Sequence, residues 1–305
     1  MEYKTLDIEK LLDILIKRKI FIVLFTLFTS SSSLIYSYFL TPIYTSTAIL
    51  ETNPNLDSGN QISQFNGAAS LIGFDIGGSS SSANIIDIAL ATLKSRDFFE
   101  SLFNDEYFLA ELMATKEYNP KSKEIIFDEK KFSEDQKSWL INGVDMKPSF
   151  HDSYEKYAIS VIEVAHDEMT SMTTIKINHP SPVIAKKWLE RIILGLNKTM
   201  REKKIEEASS GIKFLQEKLK LETITELKKA ISNSIEKQLN ILMVAEISED
   251  YIFSYIDRPR EPSIKSKPSK KNYLIFGFLL GAVFSVLLSL IAEFLSSYRL
   301  RKKSQ

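Results

Sequence analysis

Two stretches of the chain run without a charged residue for about the thickness of a lipid bilayer. Residues 20–40 read IFIVLFTLFTSSSSLIYSYFL and residues 272–292 read NYLIFGFLLGAVFSVLLSLIA. At ~1.5 Å of rise per residue a helix of either length reaches roughly 32 Å, enough for a ~30 Å hydrocarbon core. Each predicts a transmembrane helix. A cleaved signal peptide fits the first run poorly, because 19 residues precede it, the apolar run is too long and no small-x-small site follows. A buried core helix fits the second poorly, given its length and its basic C-terminal flank.

Between these runs the periodicity shortens and then lengthens again. Pro42 cannot continue a helix cheaply, and residues 43–52 (IYTSTAILET) are β-branched and short, which predicts a strand. Residues 57–82 hold five of the ten glycines and seven serines, and read as a mobile loop or a weakly ordered excursion. Helical spacing returns over residues 83–104, with Ile86, Ala89, Leu90 and Leu93 on one face. Residues 144–178 predict sheet, with paired strands at 157–164 (YAISVIEV) and 172–177 (MTTIKI) joined by a polar turn at His166, Asp167 and Glu168.

Ser181-Pro182 is a helix start, with Ser as the cap and Pro at the first helical position. No further proline and only two glycines occur before Leu221. Ile205, Ala208, Ile212, Leu215 and Leu219 alternate steps of three and four, a coiled-coil-like seam and a candidate assembly face. A second helical stretch carries Leu227, Ile231, Ile235, Leu239 and Leu242, with ETIT (residues 222–225) as the break. About 40 helical residues reach ~60 Å, more than a small domain needs, so the fold class is α+β: two transmembrane helices bracketing a domain with a membrane-proximal sheet and long projecting helices over about 181–245. Residues 257–271 (DRPREPSIKSKPSKK) contain Pro259, Pro262 and Pro268, which together with Pro42 predict an extended linker next to the membrane. Its Lys and Arg residues suit lipid headgroups as well as solvent.

Charge sets the orientation. Lys10, Lys17, Arg18 and Lys19 precede the first run, and no Lys or Arg follows it until Lys94. The positive-inside rule then puts the N-terminus in the cytoplasm, and Arg299, Arg301, Lys302 and Lys303 agree for the C-terminus. Arg258, Arg260, Lys265, Lys267, Lys270 and Lys271 argue the other way, but the first helix usually dominates. The expected division is a cytoplasmic segment 1–19, a span 20–40, an external (periplasmic) domain 41–271, a span 272–292 and a cytoplasmic tail 293–305. Within the spans Thr29, Ser33 and Ser37 recur every four residues, and Gly277 and Gly281 form GxxxG. Such seams let helix backbones approach in lipid, between the two spans or between subunits.

Composition removes function classes and adds none. Thirty-nine Lys and Arg balance thirty-nine Asp and Glu, which excludes a basic nucleic-acid footprint over the whole chain. Cysteine is absent, so there is no disulfide, thiolate metal site or thiol nucleophile. His151, His166 and His179 form no HExxH pair, and Gly73, Gly77 and Gly78 in GFDIGG lack the Lys-Ser/Thr of a phosphate loop. No GxSxG occurs. The expectation is no catalytic residue, no metal and no cofactor, and terminal segments too short for a kinase or a signalling module.

The pieces in order resemble the Wzz chain-length determinant family. TLDIEKLLDILIKRKIFIVLF followed by FLTPIYTSTAIL resembles its opening, here with Asp7, Leu11, Leu12, Lys17 to Lys19, Pro42 and Tyr44. LATLKSRDFFESL is similar to its Ser-Arg segment at Ser95-Arg96. HPSPVIAKKWLERIILGLNKTMREKKIEEASSGIKFLQEKL resembles its long-helix entry, with Pro182, Ala185, Trp188, Asn197 and Leu215. Asp257, Pro259, Pro262 and Pro268 ahead of Gly277 and Gly281 resemble its close. The resemblance implies a polysaccharide co-polymerase: a homo-oligomeric ring in the bacterial inner membrane that is not an enzyme. Such a ring sets the chain length of a polysaccharide, typically lipopolysaccharide O-antigen, and its partners are a Wzy-type polymerase, the nascent polysaccharide on its lipid carrier and inner-membrane lipid. The long Gly/Ser loop and the Ser-Lys-Lys after Pro268 depart from the family pattern, which leaves chain-length class and ring size open. A capsule or exopolysaccharide adaptor working with a separate kinase or transporter is the alternative. No tyrosine-kinase domain or tyrosine-rich tail follows the second span, which disfavours relatives with a fused kinase.

Overall fold

The computed structural model describes residues 16–53, 82–103, 105–135, 137–141 and 143–303. The Gly/Ser stretch 57–82 lies outside them apart from its last residue, as do Asp7, Lys10, Leu11 and Leu12. Contacts divide the chain into two units, Met1–Ile43 with Lys265–Gln305, and Tyr44–Ile264.

The first unit is an antiparallel pair of helices, α1 (Lys19–Tyr38) and α8 (Lys270–Lys303). Both are long and apolar enough to cross a membrane, over Lys19–Tyr38 and Lys270–Glu293. Helix α1 stops just ahead of Pro42. There the Ile43 N–H donates to the Lys267 carbonyl (2.9 Å) and the Ser266 N–H to the Ile43 carbonyl (2.8 Å), which holds the two connecting segments together.

The second unit is built on a four-stranded antiparallel sheet in the order β6-β7-β1-β8: β1 (Tyr44–Thr52), β6 (Ile162–Asp167), β7 (Met172–His179) and β8 (Phe253–Asp257). Alternation along β1 buries Ser46, Ala48 and Leu50, the period of two that a half-buried strand requires. Helix α6 (Pro182–Leu221) crosses this face and is 40 residues long. Its first half carries Trp188, Leu189, Ile192, Ile193 and Leu196, all fully buried against Ile175, Ile177 and Phe253. The Ser181 hydroxyl accepts from the Ile184 N–H (3.4 Å) and Pro182 opens the first turn, so the start read from the sequence is the start observed. The second half of α6 runs past the sheet and packs on α7 (Thr225–Ile247). At the break, the Glu222 carboxylate accepts from the N–H groups of Thr223 (2.8 Å) and Ile224 (3.0 Å), donors that the new helix cannot satisfy internally.

Two expectations need correction. Residues 83–104 form two helices, α2 (Ser82–Leu93) and α3 (Arg96–Phe103). Ser95 restarts the second as its cap, accepting from the Phe98 N–H (3.2 Å), and the break turns Phe98, Phe99, Leu102 and Phe103 into the core. Residues 144–178 are sheet only in part. After the short hairpin β4 (Leu140–Ile141) and β5 (Val144–Asp145), Ser149 caps helix α5 (Phe150–Lys156) by accepting from the Asp152 N–H (3.1 Å), and a π-helical turn, Tyr157–Val161, precedes β6. The apolar alternation over 157–161 resembles a strand. Tertiary packing overrides it, because Tyr157 must reach Phe99 and Phe103 and donate its hydroxyl to the Leu93 carbonyl (3.1 Å). The turn after β6 also falls later than expected, since His166 and Asp167 still pair with Thr173 and Met172. Helix α4 (Glu106–Met113) and the hairpin β2 (Thr115–Asn119) with β3 (Glu124–Phe127) complete the unit; Ala110, Phe127, Phe132 and Trp139 form a small satellite core.

One polar side chain locks α6 to the sheet. Asn197 is buried, and its Oδ1 accepts from the N–H groups of Ile252 (3.0 Å) and Phe253 (2.9 Å) while its Nδ2 donates to the Phe253 carbonyl (2.9 Å). Replacing it by a leucine of similar size leaves three buried backbone groups unpaired, each at a cost of ~1–3 kcal/mol. Asn197→Leu is therefore expected to lower the thermal unfolding midpoint of the detergent-solubilised chain strongly. An unchanged midpoint removes this role.

Candidate functional site

The residues singled out by the sequence fall into three places. In the first unit, Gly277 and Gly281 lie where α8 meets α1. A Cβ on Gly277 would stand 2.6 Å from the Ser33 Cβ and 3.0 Å from the Ser30 Cα, and one on Gly281 would collide with the Thr29 hydroxyl. The helices are thus closer at these levels than any side chain larger than hydrogen permits. Hydroxyls of α1 bond across the contact: Thr29 donates to the Gly277 carbonyl (3.2 Å), Ser30 to Leu274 (3.1 Å) and Ser33 to Tyr273 (2.8 Å). Ser37 is buried at the end of the same face. Sequence reasoning passed over the far half of the seam, Ser285 and Ser289, both fully buried. They continue the step of four begun by Gly277 and Gly281, so the signal was present. The opposite end of the pair is closed by Arg18, whose guanidinium donates to Glu293 (2.9 Å), with Lys17 at 3.6 Å from the same carboxylate.

The linker prolines divide between the units. Pro42 and Pro268 flank the Ile43–Lys267 bridge of the first. Pro259 and Pro262 belong to the second; Pro259 is buried there, and the Ser46 hydroxyl donates to the adjacent Arg260 carbonyl (2.9 Å), which ties this strap to β1.

The seam on α6 lies against α7 of the same chain. Ile212 is buried, and Ile205, Leu215 and Leu219 are half-buried. Other apolar residues of this hairpin remain exposed: Phe214 at 58%, Leu221 at 78%, Met243 at 57% and Ile247 at 81%.

A buried polar cluster at the β7–α6 junction went unread. Glu111 on α4 is 3% exposed. Its carboxylate accepts from Trp188 Nε1 (2.8 Å) and Lys187 Nζ (3.2 Å). Its backbone carbonyl accepts from His179 Nε2 (3.0 Å), and His179 Nδ1 accepts from the Ser181 N–H (2.9 Å), which fixes the tautomer with the proton on Nε2. Burial holds the His179 pKa down at about 4. Burial also lowers the Lys156 pKa, and that ammonium donates to the Leu112 carbonyl (2.6 Å). The one hint in the sequence is an acid set inside the apolar run FLAELM. Glu111, Lys187 and His179 join α4 to the start of α6, and Lys156 ties α5 to the end of α4, so the cluster positions elements against one another. Among the described residues no group of three or more His, Asp or Glu stands together as a metal site would require.

Two helices long and apolar enough to cross a membrane bracket an α+β unit in sequence, an arrangement compatible with a two-span membrane protein. Residues 4–106, about a third of the chain, match the family model described as Wzz: Chain length determinant protein. That segment includes α1, β1, α2 and α3. The chain is similar to a solved structure described as a full-length bacterial polysaccharide co-polymerase, at 15% identity and a TM-score of 0.41, covering 96% of this chain and 99% of that one. A structure described as a fragment of WzzB, polysaccharide co-polymerase, from Salmonella Typhimurium aligns at 14% identity and a TM-score of 0.28, covering 74% of this chain and 100% of that one. No curated protein matches the chain.

Two tests follow from this geometry. Gly281→Leu forces a side chain into the α1–α8 contact and is expected to destabilise the pair by roughly 1–3 kcal/mol, with Gly281→Ala intermediate. Leu279→Phe, on an exposed face, should leave the thermal midpoint in detergent unchanged; a Gly281→Leu midpoint equal to wild type contradicts the close contact. The His179 pKa is lower folded than unfolded, so the unfolded chain binds the extra proton between pH 6.5 and about 4. The stabilisation is complete above pH 6.5 and is lost as the pH falls through that window, by at most ~3 kcal/mol at about 1.4 kcal/mol per pH unit. Thermal midpoints should fall from pH 6.5 to 4.5, and His179→Gln should flatten that slope.

Proposed function

We propose that this chain is a non-enzymatic, homo-oligomeric co-polymerase of the bacterial inner membrane that sets polysaccharide chain length, with lipopolysaccharide O-antigen as the product and a Wzy-type polymerase as partner. The observation that carries this reading is the chain length determinant match over residues 4–106. Orientation rests on the charge flanks of α1: both termini are cytoplasmic and residues 41–271 are periplasmic. The geometry supports a structural role. Its buried ionisable cluster is committed to packing, and its longest element is a helical hairpin that extends beyond the sheet. Copies assemble through this hairpin, in which the seam of Ile205, Ile212, Leu215 and Leu219 holds α6 on α7 and the exposed Phe214, Leu221, Met243 and Ile247 supply apolar contact to neighbours. The ring so formed restrains polymerase and nascent chain on its lipid carrier for a set number of additions.

The test is the lipopolysaccharide ladder of a deletion strain with and without the gene on a plasmid. A clustered ladder should become short-weighted and random on deletion and return with the plasmid. An unchanged ladder overturns the O-antigen assignment and transfers the reading to capsule or exopolysaccharide.

A further inference from the structure

Helices α1 and α8 meet along one line and leave beside it a groove of about 390 Å³. Gly277 and Gly281 lie in its floor, and Phe25, Tyr36, Tyr273 and Phe276 are among the rings that wall it. The hydroxyls that reach it, Thr29 and Ser33, already donate to carbonyls of α8. Apart from the phenol hydroxyls of Tyr36 and Tyr273 at one end, the groove offers apolar surface, which suits a hydrocarbon occupant. Its walls are bulky rings set above a glycine floor. A third helix, ~10 Å across with its side chains, is held off that floor, whereas a single acyl chain is thin enough to lie in it.

The two ends of the helix pair differ in charge. At one end Lys17 and Arg18 are matched by Glu293. At the other, where Tyr36 and Tyr273 close the groove with ring centroids 6.5 Å apart, Lys270 lies one turn beyond Tyr273 and donates to the Tyr38 hydroxyl (3.0 Å). Lys265 and Lys271 are exposed nearby in sequence, and residues 264–292 contain no Asp or Glu. Tyr36, Tyr38 and Tyr273 form the aromatic belt expected at a membrane interface. An apolar groove that ends in an unbalanced set of lysines is complementary to a molecule with an apolar tail and an anionic head.

The geometry points to a bound anionic phospholipid, with one acyl chain in the α1–α8 groove and its phosphate on Lys265, Lys270 and Lys271, in the leaflet where the chain leaves the helix pair for the sheet unit. This site rests on reading α1 and α8 as membrane spans and is independent of which polysaccharide the protein serves. A failed lipid test thus leaves the ladder result standing, and a failed ladder leaves this one.

The full-length chain is reconstituted in vesicles of equal phosphatidylglycerol and phosphatidylcholine, extracted in detergent, and its retained lipid is measured by native mass spectrometry. Wild type should retain phosphatidylglycerol in preference. The triple variant Lys265→Ala, Lys270→Ala, Lys271→Ala should lose that preference by tenfold or more, since each interfacial lysine contributes about a fivefold factor. Leu280→Trp places a ring in the groove while leaving both glycines unsubstituted, and should abolish retention of both lipids. Equal retention of the two lipids by wild type, or undiminished phosphatidylglycerol on the lysine variant, overturns the site. So does a photo-crosslinker at position 280 that captures polypeptide in place of lipid.

Discussion

The second unit depends on one end of one helix being fixed. Helix α6 is 40 residues long, and its large fully buried side chains, Trp188 to Leu196, all lie in the first half. Beyond Met200 it packs mainly on α7. Most helical stability comes from packing rather than propensity, so the outer half stands because the inner half cannot rotate or slide. Asn197 supplies that restraint by matching three backbone groups of Ile252 and Phe253, where β8 begins, and Glu111 supplies it again at the helix start through Trp188. A hydrophobic contact tolerates a shift of register; a set of directional bonds to a strand backbone does not.

The helix pair of the first unit is governed by a different balance. In lipid there is no hydrophobic drive to bring two apolar helices together, so association rests on close van der Waals contact and hydrogen bonds across the interface. Gly277 and Gly281 supply the first, and the hydroxyls of Thr29, Ser30 and Ser33 supply the second. The same absence of side chains on α8 that permits the contact also forms the floor of the groove beside it.

Legibility in the sequence followed the locality of the physics. Ser181-Pro182, the break after Leu221 and the two apolar runs are local signals, and α6, α7, α1 and α8 appear close to where those signals place them. The long central strand β1 was likewise readable from its β-branched composition. The failures are places where distant residues decide. Residues 157–161 alternate like a strand, yet Tyr157 is drawn into an aromatic cluster assembled from α3. Ser95 and Ser149 are caps whose signal, a lone serine before an apolar run, is too common to act on without the structure. The Glu111–Trp188 bond joins residues 77 apart, and no spacing rule reaches that far. The seam on α6 was visible as a period, but a period does not say whether its partner is another copy or the next helix of the same chain.

The order of strands in the sheet has a consequence for how the chain is made. Strand β1, the first of the described strands to be synthesised, lies between β7 and β8, with Ile49 opposite both Thr174 and Asp257. Its neighbours emerge well over a hundred residues later, whereas β6 with β7 and α6 with α7 are near neighbours in sequence and can close early. Long loops delay closure and keep unpaired edges open during folding. From the ribosome's standpoint the centre of the sheet is therefore the last piece to be fitted: an apolar ribbon tethered directly behind α1, waiting for nearly the whole of the intervening chain before both its edges are covered.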